Sequence, residues 1–396
     1  MLDCAFSPYL ARARVKDLLE EFSPEEVRKV QKYHETFPEY QKTPLRSLGS
    51  LAKLIGVKAV YVKDESYRFS LNAFKVLGAS YAVARYIAQK KCLNDITYDS
   101  IMNSGLEATT FTTTTDGNHG RGLAWTARLL GQKAVINMPK GTVAQRVRAI
   151  EELGADVTVT DMNYDDTVRL TARQAEEHGR VIVQDTAWEG YEDIPLWIMK
   201  GYGTMAAETR DQLPEKPTHI FLQAGVGSMA AAQMAAFANF YKDAPPVFAL
   251  VEADSAACFY RSAVAGAEQP VNVGGDLATI MAGLACGEAS SLAWPIIRNW
   301  CSLYIAADNT AAAYGMRILG NPAGDDCKVV SGESGAAGMG ALSMLMERTN
   351  RETAKKLGLN ENSVVLLFST EGDTDAGGYR SVVWNGMYPY EAVAGK

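Results

Sequence analysis

The stretch HIFLQAGVGSMAAAQMAAFAN, residues 219–239, decides the fold class of this 396-residue chain. Its apolar start at 219–222 predicts a buried strand, and its alanine-rich end at 229–239 predicts a helix. A glycine-rich turn at 223–228 joins the two. Glycine lets a ligand approach the backbone closely, and free N–H groups at a helix N-terminus favour an anion. The stretch therefore predicts either a phosphate site or a tight strand-to-helix turn that binds nothing.

The same strand–helix pattern repeats on both sides of this stretch. The chain begins with helices, one of which starts at the capping residue Ser23, and predicted strands then alternate with predicted helices. Such alternation is typical of an α/β protein with mainly parallel sheets. Because no long linker is present, we expect a smaller α/β domain at 77–181, inserted into a large domain of 1–76 and 182–396. The predicted strands are 59–62, 109–115, 134–137, 157–159, 181–183, 247–251 and 364–368.

Composition and charge exclude several classes of protein. Hydrophobic residues make up 47% of the chain and charged residues 21%, whereas a disordered chain lacks the apolar surface for a core. The net charge is −7, and no block of lysine and arginine indicates a nucleic-acid partner. No apolar run reaches the roughly 18 residues of a membrane span. The N-terminus lacks the basic start and apolar stretch of a signal peptide, so we expect a cytoplasmic protein.

The six cysteines are scattered along the chain. Since no C-x-x-C pair or neighbouring histidine provides zinc-ligand spacing, we expect no metal site. Scattered cysteines are typical of a reduced, cytoplasmic protein. A disulfide between Cys258 and Cys286 stays an open alternative, because connectivity cannot be read from a sequence.

Lys75 lies in the first turn of an otherwise apolar predicted helix, after a predicted strand and a polar turn. Apolar surroundings destabilise the ammonium form and lower the pKa of a lysine, which suits Schiff-base chemistry. The alternative is a solvated lysine whose aliphatic stem packs along the helix.

Three further polar segments follow predicted strands, at 116–122, 184–191 and 369–375. Open α/β sheets bind ligands at the carboxyl ends of their strands. We therefore expect these segments, the glycine turn and Lys75 to line one cleft. Helix capping is the alternative role for Asp116 and Asn118, since both are good N-cap residues.

The glycine turn also fits a different class of enzyme. The pattern Gly225-x-Gly227-x-x-Ala230 matches a loose dinucleotide fingerprint, and Glu252 ends the next predicted strand, where a ribose-binding acid would lie. A nicotinamide oxidoreductase is therefore an open alternative to a site for a single-phosphate cofactor.

Four motifs occur in order between Thr43 and Asp375: Asn72-x-Phe74-Lys75, Asp116-Gly117-Asn118-His119-Gly120, Gly225-Val226-Gly227-Ser228, and Ser369 near the end. Together they resemble the fold-type II enzymes that use pyridoxal 5′-phosphate, the tryptophan synthase β family. This resemblance implies two three-layer α/β/α domains with mainly parallel sheets, an active site in the cleft between them, a cofactor-binding large domain and a homodimer. Asp116 and the segments 184–191 and 331–335 are most similar to diaminopropionate ammonia-lyases, whereas dehydratases usually have serine in place of Asp116.

The resemblance also implies a role for each matched residue. Lys75 would hold the cofactor covalently and then act as a base, and Asn118 would hydrogen-bond the ring hydroxyl. Ser369, or in second place Thr370, would meet the pyridine nitrogen. A hydroxyl there leaves the nitrogen unprotonated, which suits elimination. The phosphate would be held by Gly225, Val226, Gly227 and Ser228.

The implied reaction is α,β-elimination of ammonia from the amino acid 2,3-diaminopropionate, as both D and L isomers, to give pyruvate and two ammonia. The catalytic residues would be Lys75, Asp116 and Asp185, with both carboxylates near the two amines of the substrate. Lys75 would take the α-proton of one enantiomer, and Asp116 that of the other. A serine or threonine dehydratase of the same fold, and a non-catalytic protein that keeps the fold, are alternatives.

Overall fold

The computed structural model describes residues 2–9 and 16–390, and the strands in this part of the chain form two β-sheets. One sheet has seven strands and the other has four. The strands are β1 (Leu2–Phe6), β2 (Leu45–Ser47), β3 (Ala59–Asp64), β4 (Thr110–Thr114), β5 (Lys133–Met138), β6 (Asp156–Val159), β7 (Val181–Ile182), β8 (His219–Gln223), β9 (Val247–Ala253), β10 (Cys301–Ala307) and β11 (Val364–Ser369).

The seven-stranded sheet has the order β1-β10-β9-β8-β11-β3-β2 and is parallel in its interior. Its edge strands are antiparallel, because β1 pairs with β10 and β2 pairs with β3. The four-stranded sheet, β6-β5-β4-β7, is parallel throughout. Every residue of β8 and β11 is buried, as is typical of parallel strands covered on both faces. The predicted α/β class with mainly parallel sheets is confirmed.

The helices follow the strands in the predicted alternation. At the start of α2 the Ser23 hydroxyl accepts a hydrogen bond from the Glu26 N–H, as the predicted cap requires. None of the helices in the described ranges is long and apolar enough to cross a membrane. They are α1 (Lys16–Glu20), α2 (Pro24–Glu35), α3 (Gly49–Ile55), α4 (Val76–Lys91), α5 (Tyr98–Met102), α6 (Asn118–Leu129), α7 (Ala144–Glu151), α8 (Tyr164–His178), α9 (Asp193–Gln212), α10 (Ser228–Phe240), α11 (Cys258–Ala265), α12 (Ala293–Trp300), α13 (Asn309–Gly320), α14 (Glu333–Met346), α15 (Arg351–Leu357) and α16 (Ala376–Val383).

The strands of the four-stranded sheet all lie between β3 and β8 in the sequence. Helix α4, which follows Lys75, packs against both α6 and α9. We keep as a proposal the division into a domain of 77–181 and a domain of 1–76 with 182–396.

Two glycines bring α4 and α9 into close contact. A Cβ on Gly201 would lie 2.4 Å from the carbonyl oxygen of Leu77, and a Cβ on Gly78 would lie 2.6 Å from Cε1 of Tyr202. Because neither glycine has a Cβ, the ring of Tyr202 lies directly against the helix that begins after Lys75.

A fully buried ionic cluster holds the segment that precedes Lys75. Its members Lys63, Glu65, Arg68 and Glu208 are each 0% exposed. Arg68 donates to Glu65 Oε2 at 2.9 Å and to Glu208 Oε1 at 2.8 Å, and Lys63 donates to Glu208 Oε2 at 2.7 Å. Burial alone would raise the pKa of Glu208, but Arg68 and Lys63 hold that pKa well below its ordinary value. The two positive and two negative charges therefore balance only while all four side chains are present.

We expect Glu208→Ala to lower the free energy of unfolding by about 3–5 kcal/mol, because it leaves buried cations without a counter-ion. Urea denaturation followed by circular dichroism measures the change. Glu352→Ala is the control, since it breaks an exposed pair with Lys355 and should cost less than about 1 kcal/mol. Equal losses in the two variants would contradict the prediction.

Candidate active site

An inner cavity lies at the carboxyl ends of the neighbouring strands β3, β11 and β8, and loops that follow β4 and β7 of the other sheet complete its wall. Asp116 and Tyr164 also line an adjoining outer cavity of about 680 Å³. The structure thus brings together residues from all five polar segments singled out in the sequence. The predicted site residues that line the inner cavity are Lys75, Asp116, Asn118, Asp185, Gly225, Val226, Gly227, Ser228 and Thr370.

Lys75 and Asp185 form an ion pair inside this cavity, in which Lys75 Nζ donates to Asp185 Oδ2. Burial lowers the pKa of Lys75, but the carboxylates of Asp185 and Asp116 outweigh burial, so this pKa lies above its ordinary value. The predicted lowering of the lysine pKa is therefore wrong for this arrangement. That prediction took account of the apolar helix start and not of the carboxylates that the fold brings to it.

Asp185 is held in place by two further donors. Tyr164 Oη donates to Asp185 Oδ1 at 3.1 Å, and Gln184 Nε2 donates to the same oxygen at 3.2 Å. Burial raises the pKa of Asp185, but the charges of Lys75 and His119 and the Tyr164 hydrogen bond lower it to about 2. Asp185 is therefore a carboxylate at neutral pH that can hold a cation.

Asp116 lies where β4 gives way to α6, and it does not cap that helix. The N-cap is Gly117, with no side-chain capping bond, while Thr115 Oγ1 accepts from the Gly117 N–H at 2.9 Å and from the Gly120 N–H at 3.0 Å. Asp116 Oδ2 is buried and has no hydrogen-bond partner among the described residues. The nearest cation is Arg146, whose Nη1 lies 3.6 Å from that oxygen. This geometry favours a role in the cavity over the alternative of helix capping.

The glycine turn forms a cup at the start of α10. A Cβ on Gly225 would lie 2.8 Å from the Gly283 carbonyl oxygen, and a Cβ on Gly227 would lie 2.5 Å from Cζ of Phe259. Gly227 also has φ +93°, a conformation that favours glycine. Since this N-cap has no side chain to cap the helix, the first N–H groups of α10 are left for an anion.

The two hydroxyls proposed for the ring nitrogen are placed differently. Ser369 Oγ donates to Ser331 Oγ at 2.8 Å and does not line the inner cavity. Thr370 does line it, and Thr370 Oγ1 accepts from Gln223 Nε2 at 3.0 Å. Because that bond uses a lone pair of the Thr370 hydroxyl, its proton is left to donate to an unprotonated ring nitrogen. We therefore prefer Thr370 to Ser369 for this role.

Sequence reasoning missed several side chains that line the inner cavity. Tyr164, Tyr202 and Cys286 belong to no motif that was singled out, and Glu371 lies in a segment that was noted without a role for that residue. Asn118 Nδ2 donates to Glu371 Oε2 at 2.5 Å. Only the three-dimensional arrangement identifies these residues, because each comes from a different part of the chain.

The acid proposed for a dinucleotide site is engaged elsewhere. Glu252 is 1% exposed, and its two carboxyl oxygens accept from the backbone N–H groups of Phe259 at 2.9 Å and Tyr260 at 2.7 Å. It therefore caps the start of α11 and cannot reach a ribose. The oxidoreductase alternative is left with the glycine pattern and without a ribose-binding acid. Cys258 and Cys286 are buried free thiols in the described part of the chain.

Comparison with known proteins identifies the family of the chain. The family model of the pyridoxal-phosphate dependent enzymes matches residues 36–370. The chain belongs to this family. It is 51% identical over 373 residues to diaminopropionate ammonia-lyase of Escherichia coli K12, and this alignment covers 93% of each chain. It is 48% identical over 366 residues to diaminopropionate ammonia-lyase of Salmonella typhimurium, and that alignment covers 89% of this chain and 91% of the relative. The holo crystal structure of the E. coli protein superposes with a TM-score of 0.92 at 48% identity, over 98% of both chains.

These similarities confirm the predicted family and confirm pyridoxal phosphate as the cofactor of this pyridoxal-phosphate dependent lyase. The residues present fit the cofactor. The turn at 225–228 lines the inner cavity beside the start of α10, which has no side-chain cap, Lys75 provides an amine, and Thr370 provides a hydroxyl. The oxidoreductase alternative is wrong.

We expect Gly225→Ala to weaken the binding of pyridoxal phosphate by about tenfold to a hundredfold, because the added methyl group would clash with the Gly283 carbonyl oxygen, 2.8 Å away, and shift the N–H groups that would hold the phosphate. Titration of the apoenzyme, followed by absorbance, measures the dissociation constant. Gly49→Ala is the matched control, since a Cβ there meets open space. An unchanged dissociation constant in Gly225→Ala would contradict the phosphate assignment.

Proposed function

We propose that this pyridoxal-phosphate dependent lyase eliminates ammonia from 2,3-diaminopropionate, accepts both the D and the L isomer, and yields pyruvate and two ammonia. The observation that carries the proposal is Oδ2 of Asp116, a buried carboxylate oxygen without a hydrogen-bond partner in the described structure, at a position where dehydratases usually have serine. A substrate with two amino groups suits a cavity in which Asp116 and Asp185 both present carboxylates. The names of the E. coli and Salmonella relatives support the same substrate.

When bound, pyridoxal phosphate supplies an electron sink that acidifies the α-carbon of the substrate. Lys75 Nζ is the base for the L isomer in this proposal. Asp185 stays ionised and accepts a hydrogen bond from the Lys75 ammonium after the lysine has taken the proton, while Tyr164 and Gln184 hold that carboxylate in place. An amine leaves only after it gains a proton, and the ammonium of Lys75 can provide the proton that it has just taken. The released 2-aminoacrylate hydrolyses to pyruvate and a second ammonia.

Asp116 is the base for the D isomer in the same proposal. A base on one face of a planar cofactor reaches the α-proton of one enantiomer, so the mirror-image substrate needs a second base on the other face. Asp116 Oδ2 is available for this proton, because no described side chain donates a hydrogen bond to it. Arg146 places a positive charge beside this carboxylate, with Nη1 3.6 Å from Asp116 Oδ2, which is too long for a hydrogen bond.

Release of pyruvate from candidate amino acids tests the proposed substrate. We expect turnover of D- and L-2,3-diaminopropionate well above that of serine and threonine, with two ammonia formed for each pyruvate. A preference for serine or threonine would support the dehydratase alternative instead. Loss of the cofactor's absorption band after borohydride reduction tests the covalent link to the protein independently of turnover.

We also propose that the enzyme is a homodimer in the cytoplasm. The family resemblance supports the dimer, and the scattered free cysteines support a reducing compartment. Sedimentation velocity of the purified enzyme tests the first statement, and cell fractionation tests the second. A monomer at micromolar concentration, or recovery outside the cytoplasm, would contradict them.

A further inference from the structure

One carboxylate in the inner cavity has no role in the proposed reaction. Glu371 follows Thr370, lines the inner cavity and is 1% exposed. Its backbone is fixed from two sides, because its carbonyl oxygen accepts from the Gly332 N–H at 3.0 Å and the residue forms a β-bridge with Ala73. The side chain is therefore held rigidly between the lysine segment and the start of α14.

Both carboxylate oxygens of Glu371 face hydrogen-bond donors. Oε2 accepts from Asn118 Nδ2 at 2.5 Å and from Thr374 Oγ1 at 3.3 Å. Oε1 accepts from the Ser334 N–H at 3.2 Å, in the first turn of the 14-residue helix α14. A helix N-terminus favours a negative charge nearby. Both oxygens of Glu371 are thus held by hydrogen-bond donors.

A carboxylate only accepts hydrogen bonds, so the amide atom of Asn118 that faces Glu371 has to be the nitrogen. The reversed amide would bring two oxygens within 2.5 Å of each other. Glu371 therefore decides which way the Asn118 amide points. One N–H of Nδ2 is bound to Glu371, and the second N–H is left to donate elsewhere.

We propose that Glu371 is a positioning residue, which holds the Asn118 amide so that its free N–H donates to the ring oxygen of pyridoxal phosphate. This inference rests on the proposed function, in which Asn118 meets that oxygen, and goes beyond it. The ring oxygen is an acceptor when ionised, so an Asn118 oxygen turned toward it would repel it. The Glu371 contact prevents that arrangement before the cofactor arrives.

The Asn118–Glu371 bond also connects the two sheets across the cavity. Asn118 begins α6, directly after β4 of the four-stranded sheet, whereas Glu371 follows β11 of the seven-stranded sheet. Correct presentation of the amide therefore depends on the relative position of the two sheets. A preorganised donor loses less freedom on binding than one that has to be ordered, which favours affinity.

A double-mutant cycle tests the inference with the complete chain. The variants are Glu371→Gln, Asn118→Ala and the combination, and the measured quantity is the dissociation constant of pyridoxal phosphate from each apoenzyme. We expect about a tenfold increase for Glu371→Gln and a larger one for Asn118→Ala. If Glu371 acts through Asn118, the double variant matches Asn118→Ala within about twofold. Full additivity of the two losses would overturn the inference.

Glu333→Gln is the matched control, because Glu333 is a buried carboxyl in the same helix turn, 5% exposed, and makes no hydrogen bond to Asn118. We expect its dissociation constant to stay within about twofold of wild type. The pH midpoint of the bound cofactor's absorption is the second measurement. It should shift in Glu371→Gln and in Asn118→Ala, whereas a structural defect alone would lower the unfolding temperature and leave the midpoint unchanged.

The results separate this inference from the proposed function. Wild-type enzyme that binds pyridoxal phosphate and releases pyruvate from 2,3-diaminopropionate, together with an additive cycle, rejects the role of Glu371 and leaves the function standing. Wild-type enzyme that does not turn over this substrate, together with a non-additive cycle, rejects the substrate and leaves the role of Glu371 standing.

Discussion

Lys75→Ala is expected to lose pyruvate release from both isomers of 2,3-diaminopropionate, by more than about 10⁴-fold for the L isomer. The variant lacks the amine that anchors the cofactor and the base that takes the α-proton. It also leaves the buried Asp185 carboxylate without its cation. The measurements are steady-state pyruvate release and the fraction of cofactor that borohydride fixes to the protein.

The control for this variant is Lys58→Ala, which removes a half-exposed lysine paired with Glu215. It should retain wild-type turnover and fixed cofactor. Lys75→Ala enzyme that still carries covalently fixed cofactor and turns over would show that another amine is the anchor, and the central assignment would be wrong.

Asp116→Asn is expected to reduce turnover of the D isomer by about 10²–10⁴-fold and to leave the L isomer within a few-fold of wild type. The substitution removes the basic oxygen while keeping the shape of the side chain. A stability loss would reduce turnover of both isomers alike, and no helix cap is lost, because Gly117 rather than Asp116 is the N-cap of α6. Steady-state kinetics with each pure enantiomer measure the selectivity.

Asp276→Asn serves as the control, since Asp276 is an exposed carboxylate at the outer cavity, paired with Lys140. Asp276→Asn should turn over both isomers at the wild-type rate. Equal losses of the two isomers in Asp116→Asn, or no loss at all, would eliminate the second base.

Contiguous signals in the sequence predicted most of the framework. The strand–turn–helix unit around Gly225 and Gly227 was found because its apolar run, glycines and alanine-rich helix are adjacent in the chain. The strands β1, β2 and β10 were missed. The residues of β1 are partly exposed and carry no clear alternation, and its partner β10 lies near residue 304. Local pattern cannot show such long-range pairing.

The site was predicted residue by residue, but its electrostatics were not. Lys75 and Asp185 are 110 residues apart, so no local pattern indicates that one carboxylate reverses the effect of burial on the lysine pKa. The choice between Ser369 and Thr370 likewise depends on which of two successive side chains faces the cavity. That direction follows from the ending of β11 and from the Ser331 contact, which only the fold reveals.

The position of β11 has a consequence for how the chain is made. Of the strands in the described structure it is the last in chain order, yet it lies between β8 and β3 inside the seven-stranded sheet. Until residue 369 has been synthesised, the nascent sheet has a gap, and the facing edges of β3 and β8 expose unpaired N–H and C=O groups. Such edges are templates for aggregation, and late parallel pairing between distant segments is slow. The growing chain therefore carries two unpaired strand edges until β11 is available to pair with them, which is the interval that chaperones would have to cover.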